Sequence, residues 1–377
     1  MLQDMQTHRV LPYSGCNHLF FIENFSEIGI LLVTNAFVER NDTMTDLPVL
    51  LLHNLDPAWP SGDRDIAMQE VEKLASALHE AGHPVTAVAV RDADLTTCLK
   101  HYDPGVWIVF NWCEELPGIP HSDAQVAEFL ESAGFAYTGP TPEVLRQSWD
   151  KAGVKRILEN HQLPTPIWRI CTADDPGDWR CFPAIVKPAQ EHCSLGVTTE
   201  AVVQSTDELR ARIAHILSEF KQPALVEDFI DGREFHVSLW GNDTVQMLPV
   251  AEMDFSRLEN VRDRLCTYES KFSPGSRHYE EILLQLPAPL SEAELDLLYR
   301  TACKAYKACG CRDFARLDIR LREGVFYILD INPNPDISSD ASLACAAEVA
   351  GFSFGAMGSR MIRLAADRHP GFRTLSI

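Results

Sequence analysis

Arg316, Asp318 and Arg320 alternate with Leu317 and Ile319, and a second run, Val325 to Asn332, is apolar apart from Asp330, Asn332 and the hydroxyl of Tyr327. Side chains on a strand change face at every residue. Arg316, Asp318 and Arg320 therefore share one face, and Asp330 and Asn332 share another. Arg322, Glu323 and Gly324 between the two runs carry a tight hairpin signal, which would fold the second run onto the first. Asp318, Asp330 and Asn332 then converge as hard oxygen ligands. One or two carboxylates with an amide oxygen suit a magnesium ion whose remaining positions are filled by phosphate or water. The competing account makes these residues the solvated face of an ordinary strand. It is weakened because an acid inside an apolar run needs a partner.

Other residues point to a phosphate-bearing ligand. Lys187 ends the apolar run Phe182 to Val186 and precedes Pro188, so its ammonium could reach a phosphate, though a snorkelling strand-end lysine reads the same way. The segment Gln190 to Gly196, with Ser194, could cover phosphates through backbone N–H groups. A single glycine makes that signal weak. Glu227 and Glu234 flank a turn at Asp231 and Gly232 between apolar strands, where they could accept from an adenine amino group and ribose hydroxyls, or be surface ion pairs. Lys271 stands in a long irregular segment and has no meaning alone.

Positioning these groups needs several elements. Leu47 to Leu52, Val85 to Val90 and Val106 to Phe110 read as strands, and 65–81 as a helix. Ser122 to Gln125 has the capping-box pattern of a second helix. Thr141 and Pro142 read as cap and first turn of a helix running to about Asn160. Strands follow at 167–171, 184–188, 225–230, 234–240 and 244–252, with helices at 207–220 and after a Ser291 to Glu294 cap, and final strands at 314–321 and 325–332. The divisions expected are an extension over 1–46, an N-terminal α/β unit over 47–141, a central unit over 142–236 and a C-terminal unit over 237–377.

Bulk properties narrow the partners. A chain of 377 residues exceeds what one core supports. Lys+Arg 33 against Asp+Glu 54 gives a net charge of −21, which repels nucleic acid and anionic membrane. The 11 cysteines, an odd number without a CxxC pair, fit reduced thiols and a cytoplasmic location. The longest apolar stretches fall far short of the roughly 20 residues of a membrane span, and no signal peptide is expected.

Taken in order, these residues resemble the ATP-grasp superfamily, most closely its D-alanine:D-alanine ligase branch. The matching stretches are Tyr137 to Gly139, Trp149 to Lys151 with Gln162 to Pro164, Ile185 to Pro188 through Gly196, Leu225 to Glu227 with Gly232 to Phe235, Tyr268 to Lys271, Ala315 to Asp318, and Leu329 to Asn334. The resemblance implies an α/β (α+β) fold of three-domain ATP-grasp architecture, with a Rossmann-like N-terminal unit and two α+β domains gripping ATP. It further implies an ADP-forming carboxylate–amine ligase working through an acyl phosphate. Lys151 and Lys187 would contact ATP phosphates, Ser194 and Gly196 would lie in the loop over them, and Glu227 and Glu234 would hold adenine and ribose. Lys271 would bridge the γ-phosphate, Arg316 would stabilise the acyl phosphate, and Asp318, Asp330 and Asn332 would ligate two Mg2+ ions, with Mn2+ as a substitute. The partners are small carboxylate and amine substrates, and a homodimer is compatible.

Departures from the branch concern the substrates. Asp330 stands where a glutamate is usual, and His53 to Pro57 replaces the glycine-rich segment that orients the first D-alanine. Pro335 and Asp336 replace a Pro-Gly step, and the serine for the second amino acid falls near Ala341, with Ser338, Ser339, Asp340 or Ser342 as substitutes. A partner other than D-alanine is expected. The alternatives are a true D-alanine:D-alanine ligase, a ligase of the superfamily with another acceptor, and a non-catalytic nucleotide-binding module.

Overall fold

The computed structural model describes residues 47–372 apart from 193, 268, 269 and 271–274. The 1–46 extension and Lys271 therefore lie outside the described residues. The first elements are β1 (Val49–Asn54), α1 (Ser61–Glu80), β2 (Val85–Val90), α2 (Leu95–Leu99), β3 (Ile108–Trp112), α3 (Asp123–Ser132) and β4 (Ala136–Tyr137). Their strands form a parallel sheet in the order β2-β1-β3-β4. The run Val49 to Leu52 is apolar at every position because both faces are covered: Val49 and Leu51 join one core, Leu50 and Leu52 another. The cap expected at Ser122 is not formed; its hydroxyl instead accepts from Leu116 N and donates to Ile119 O. Tying down the preceding loop wins over capping.

The chain continues with α4 (Pro142–Trp149), α5 (Lys151–Asn160), β5 (Trp168–Cys171), β6 (Ala184–Pro188), β7 (Val202–Val203), α6 (Thr206–Glu219) and β8 (Ala224–Asp228). Thr141 caps α4 as expected, accepting from Val144 N. The single helix expected to Asn160 breaks at Asp150, where φ −92° and ψ 86° leave the helical region. That break starts a new helix at Lys151. The four strands form an antiparallel sheet, β5-β8-β6-β7, with α6 packed on it through Leu209, Ile213 and Ile216.

The third sheet is the largest. It collects β9 (Arg233–Trp240), β10 (Gln246–Met247), β11 (Ala251–Asp254), β12 (Leu283–Gln285), β13 (Phe314–Arg322) and β14 (Val325–Asn332) in the order β12-β11-β9-β13-β14, with β10 beside β9. Its helices are α7 (Arg277–Glu281), α8 (Glu292–Ala308), α9 (Ser342–Val349) and α10 (Phe354–Arg368). The Ser291 and Glu294 capping box forms on α8. The strand expected over 244–252 is split into β10 and β11, because Pro249 between them has no N–H for a ladder.

Residues 142–236 do not form one separate core. Val154 and Leu158 of α5 pack with Leu317, Ile319 and Ile328, and Arg233 to His236 pair along β9 and β13 in the larger sheet. The last helix returns to the first unit, where α10 packs on α1. A Cβ on Gly355 would sit 2.2 Å from Ala77 O, so only glycine allows this approach. Gly355→Val is expected to lower stability by about 2 kcal/mol through overpacking, read as a lower thermal-unfolding midpoint. An unchanged midpoint would show that the two helices separate at no cost.

Candidate active site

Register places the chemistry on one face of the large sheet. Across β9 and β13, Ser238 faces Arg316, His236 faces Asp318, and Glu234 faces Arg320. Across β13 and β14, Arg316 faces Asn332 and Asp318 faces Asp330. The ladder then shifts, because Ile319 pairs with Ile328 and leaves Leu329 as an extra residue. This bulge resolves a conflict in the sequence. Strict alternation along β14 would put Asp330 and Asn332 on the same face as Phe326 and Ile328, which are buried in the core. The extra residue turns the acids toward the cleft while the apolar side chains stay inside.

The groups around this face are tightly paired. Arg316 donates from Nε and Nη2 to the two oxygens of Asp318 at 2.7 and 3.1 Å, and Asn332 Nδ2 approaches Asp318 at 3.4 Å. Lys151, brought by the start of α5, meets Asp330 at 2.5 Å. Burial would raise the Asp330 pKa, but Lys151 and Lys187 hold it well below the usual carboxylate range. Glu227 on β8 lies between Lys155 and Lys187, each 2.6 Å away, and is 1% exposed. Burial opposes its charge, and the two lysines more than offset that, leaving its pKa lowered. Lys187 is raised against its own burial by Glu227 and Asp330.

The nine-residue strand β13 and its neighbours thus form the floor of a cleft of about 1220 Å³, lined also by Lys151, Lys187, Ser194, Glu227 and Glu234. The volume suits a nucleotide together with small substrates. Clustered carboxylate and amide oxygens facing lysines fit a metal-bound polyphosphate. The ion would supply neutralisation of phosphoryl charge.

Other expected residues have different surroundings. Ser194 lines the cleft and donates to the Cys266 carbonyl at 3.1 Å. Gly196 turns its loop at φ 73°, and a Cβ there would meet Pro188 and Phe220 within 2.9 Å. Both oxygens of Glu227 face lysines rather than the open cleft. Glu234 accepts from Arg320 at 2.7 Å.

Sequence reasoning did not find Lys155, although it follows Lys151 by one helical turn and so shares its face. It also missed the stack of His121 on Trp149 at 3.9 Å and the edge contact of Trp149 with His192 at 4.2 Å. Burial pushes His192 down to about 4, so the ring is neutral near pH 7.

One end of the cleft is acidic. Burial pushes Glu114 up to about 8, with Asp336 and Asp123 close by adding to the effect. Asp336 accepts from the backbone N and the hydroxyl of Ser338 at 2.9 and 2.7 Å. Ser338 is fully buried, Ser339 is exposed, and Ser342 meets His236 Nδ1 at 2.9 Å.

Known proteins resemble this chain in sequence and fold. The family model described as the D-ala D-ala ligase C-terminus matches residues 173–363. A D-alanine–D-alanine ligase of Desulforudis audaxviator is 30% identical over 315 residues, covering 82% of this chain and 96% of that protein. The chain belongs to the D-alanine–D-alanine ligase family. An uncharacterised protein, y4sG of Sinorhizobium fredii, is 31% identical over 322 residues, or 83% of this chain and 90% of the relative. The D-alanine–D-alanine ligase of Bacillus anthracis complexed with ATP superposes with a TM-score of 0.65 at 19% identity, covering 85% of this chain and 97% of its own. That likeness shows the ATP-grasp fold. As a member of the D-alanine–D-alanine ligase family, the chain is an ATP-dependent, ADP-forming carbon–nitrogen ligase of a family that uses a divalent metal and whose homologues act on small amino-acid substrates. Among the described residues no helix is long and apolar enough to cross a membrane.

Proposed function

We propose that this chain activates a carboxylate as an acyl phosphate and transfers it to an amine other than D-alanine, in the cytoplasm and as a homodimer. The observation that carries the reading is the face on which Arg316, Asp318, Asp330 and Asn332 meet Lys151 and Lys187. Asp318, Asp330 and Asn332 would hold two Mg2+ ions, for which Mn2+ substitutes, and Lys151 and Lys187 would exchange their carboxylate partners for ATP phosphates. Arg316 would stabilise charge on the acyl phosphate and on the tetrahedral intermediate that follows amine attack. Lys271 would bridge the γ-phosphate, Ser194 and Gly196 would shape the loop above it, and Glu234 would meet the ribose. Glu227 would act on the adenine end through the two lysines that it anchors. The central sheet with its loop would be the part that closes over the acyl phosphate and excludes water.

The substrate end supports a different acceptor. Ser338 is buried and donates to Asp336, which lies near Glu114, so this serine is not open to a second α-carboxylate. The test is phosphate release over a panel of carboxylates and amines, with D-alanine alone as reference. Turnover is expected to be highest with a pair that excludes D-alanine as acceptor, with ADP as the nucleotide product. Turnover of D-alanine at or above that of every other acceptor, or formation of AMP and pyrophosphate, would overturn the proposal.

A further inference from the structure

Glu234, His236 and Cys266 bring together three donor types that could hold a metal ion, a cluster separate from Asp318, Asp330 and Asn332. One ligand atom from each lies within 4.8 Å of the other two, and both Glu234 and His236 are buried. Glu234 and His236 are two apart on β9, so both point to the same face of the sheet. Cys266 lies between β11 and β12, outside any strand, and lines the same cleft.

The groups are oriented as metal ligands are. His236 Nδ1 is 2.9 Å from the Ser342 hydroxyl, which fixes the ring and turns Nε2 toward Glu234 Oε1 at 3.9 Å. Arg320 takes the other oxygen, Oε2, at 2.7 Å, which fixes the carboxylate. The Cys266 carbonyl accepts from Ser194, which anchors the residue that carries the thiol. Outer partners of this kind set the direction of metal-binding side chains.

The donor set chooses the ion. A thiolate, an imidazole and a carboxylate with one open position suit a borderline-soft cation such as Zn2+, whereas Mg2+ prefers oxygen ligands alone. The Arg320 guanidinium opposes a cation here, while Asp318, the cross-strand neighbour of His236, favours one. We propose that Glu234, His236 and Cys266 bind one Zn2+ ion, and that the ion excludes nucleotide from the adjoining part of the cleft. The binding does not depend on the ligase reading; the exclusion does, because it places the ribose at Glu234.

The experiment is titration of the full chain, free of nucleotide and with Mg2+ in excess, with Zn2+ against a chromophoric chelator, and with Co2+ followed by thiolate-to-metal absorption. Wild type is expected to take up one tight equivalent with the thiolate band. Cys266→Ser is expected to lose the band, and Cys266→Ser and His236→Asn each to weaken Zn2+ binding at least 10-fold. Circular dichroism of each variant confirms folding. Tight binding retained in both folded variants overturns the site, as does a Co2+ band that survives Cys266→Ser. With the site present, Zn2+ is expected to raise the apparent KM for ATP at least 5-fold in wild type, and much less in Cys266→Ser, each relative to its own zinc-free value. Zn2+ bound at this site with ATP affinity unchanged would overturn the exclusion and leave the ligase reading untouched.

Discussion

Replacing Arg316 with alanine is expected to lower kcat by roughly 150-fold or more, corresponding to ~3 kcal/mol of barrier, while the Kd for ATP stays within a few-fold of wild type. The guanidinium lies on the cleft face between Ser238 and Asn332 in the sheet register, and it forms an ion pair with the adjacent Asp318. A cation in that position gains most when negative charge develops on the transferring phosphoryl group, which is late in the reaction rather than in the bound ground state. Arg316→Lys keeps the charge but loses the two-point grip on Asp318, so an intermediate rate is expected. Single-turnover rates and nucleotide binding by fluorescence separate the two quantities. An equal loss in ATP affinity and in kcat would make Arg316 an organiser of Asp318 instead.

Replacing Lys155 is expected to have the largest effect on stability. The residue is 1% exposed, and its ammonium contacts Glu227 at 2.6 Å, Thr165 Oγ1 at 2.8 Å, and the carbonyl oxygens of Ile328 and Leu329 at 3.3 and 3.1 Å. The last two belong to the bulge, where the ladder is interrupted and backbone acceptors need another donor. Lys155 therefore ties the bulge that aims Asp330 to the acid that holds Lys187. Lys155→Ala leaves Glu227 with one cation and strips the bulge carbonyls of a donor, an expected cost of about 3 to 5 kcal/mol. Denaturant unfolding measures it, and a loss below about 1 kcal/mol would show that the network relaxes around the gap. Adding Glu227→Gln should cost less than the sum of the two single changes, because the uncompensated charge is then gone.

Much of the site was legible because its signals are local. The β13–β14 hairpin forms where Glu323 and Gly324 adopt positive φ between two strand runs. The Ser291 and Glu294 cap forms because all its partners lie within one helical turn. Lys187, Glu227, Glu234, Asp318, Asp330 and Asn332, singled out by residue type, line one cleft together with Lys151, which the family resemblance implied. What was not legible depends on distant contacts. Ser122 has the pattern of a cap, yet its hydroxyl serves the loop at Leu116 and Ile119. Glu227 reads as a ligand for a nucleotide, yet both oxygens are occupied by lysines from α5 and β6. Lys155 was invisible because a buried lysine is recognised by its partners, and those lie on β8 and β14.

By itself, the sequence determined most of the longer strands and helices as far as β14, the hairpin that carries the acids, and the kind of ligand those acids and lysines can hold, since each follows from spacing and side-chain chemistry along short stretches. Only the tertiary structure decided which way Asp330 and Asn332 point. Alternation would have sent them into the core with Phe326 and Ile328, and the extra residue at Leu329 reverses the face. A bulge of this kind is held by pairing across β13 and by the ammonium of Lys155. Neither partner is a neighbour in the chain, so the direction of the acids is a property of packing rather than of pattern.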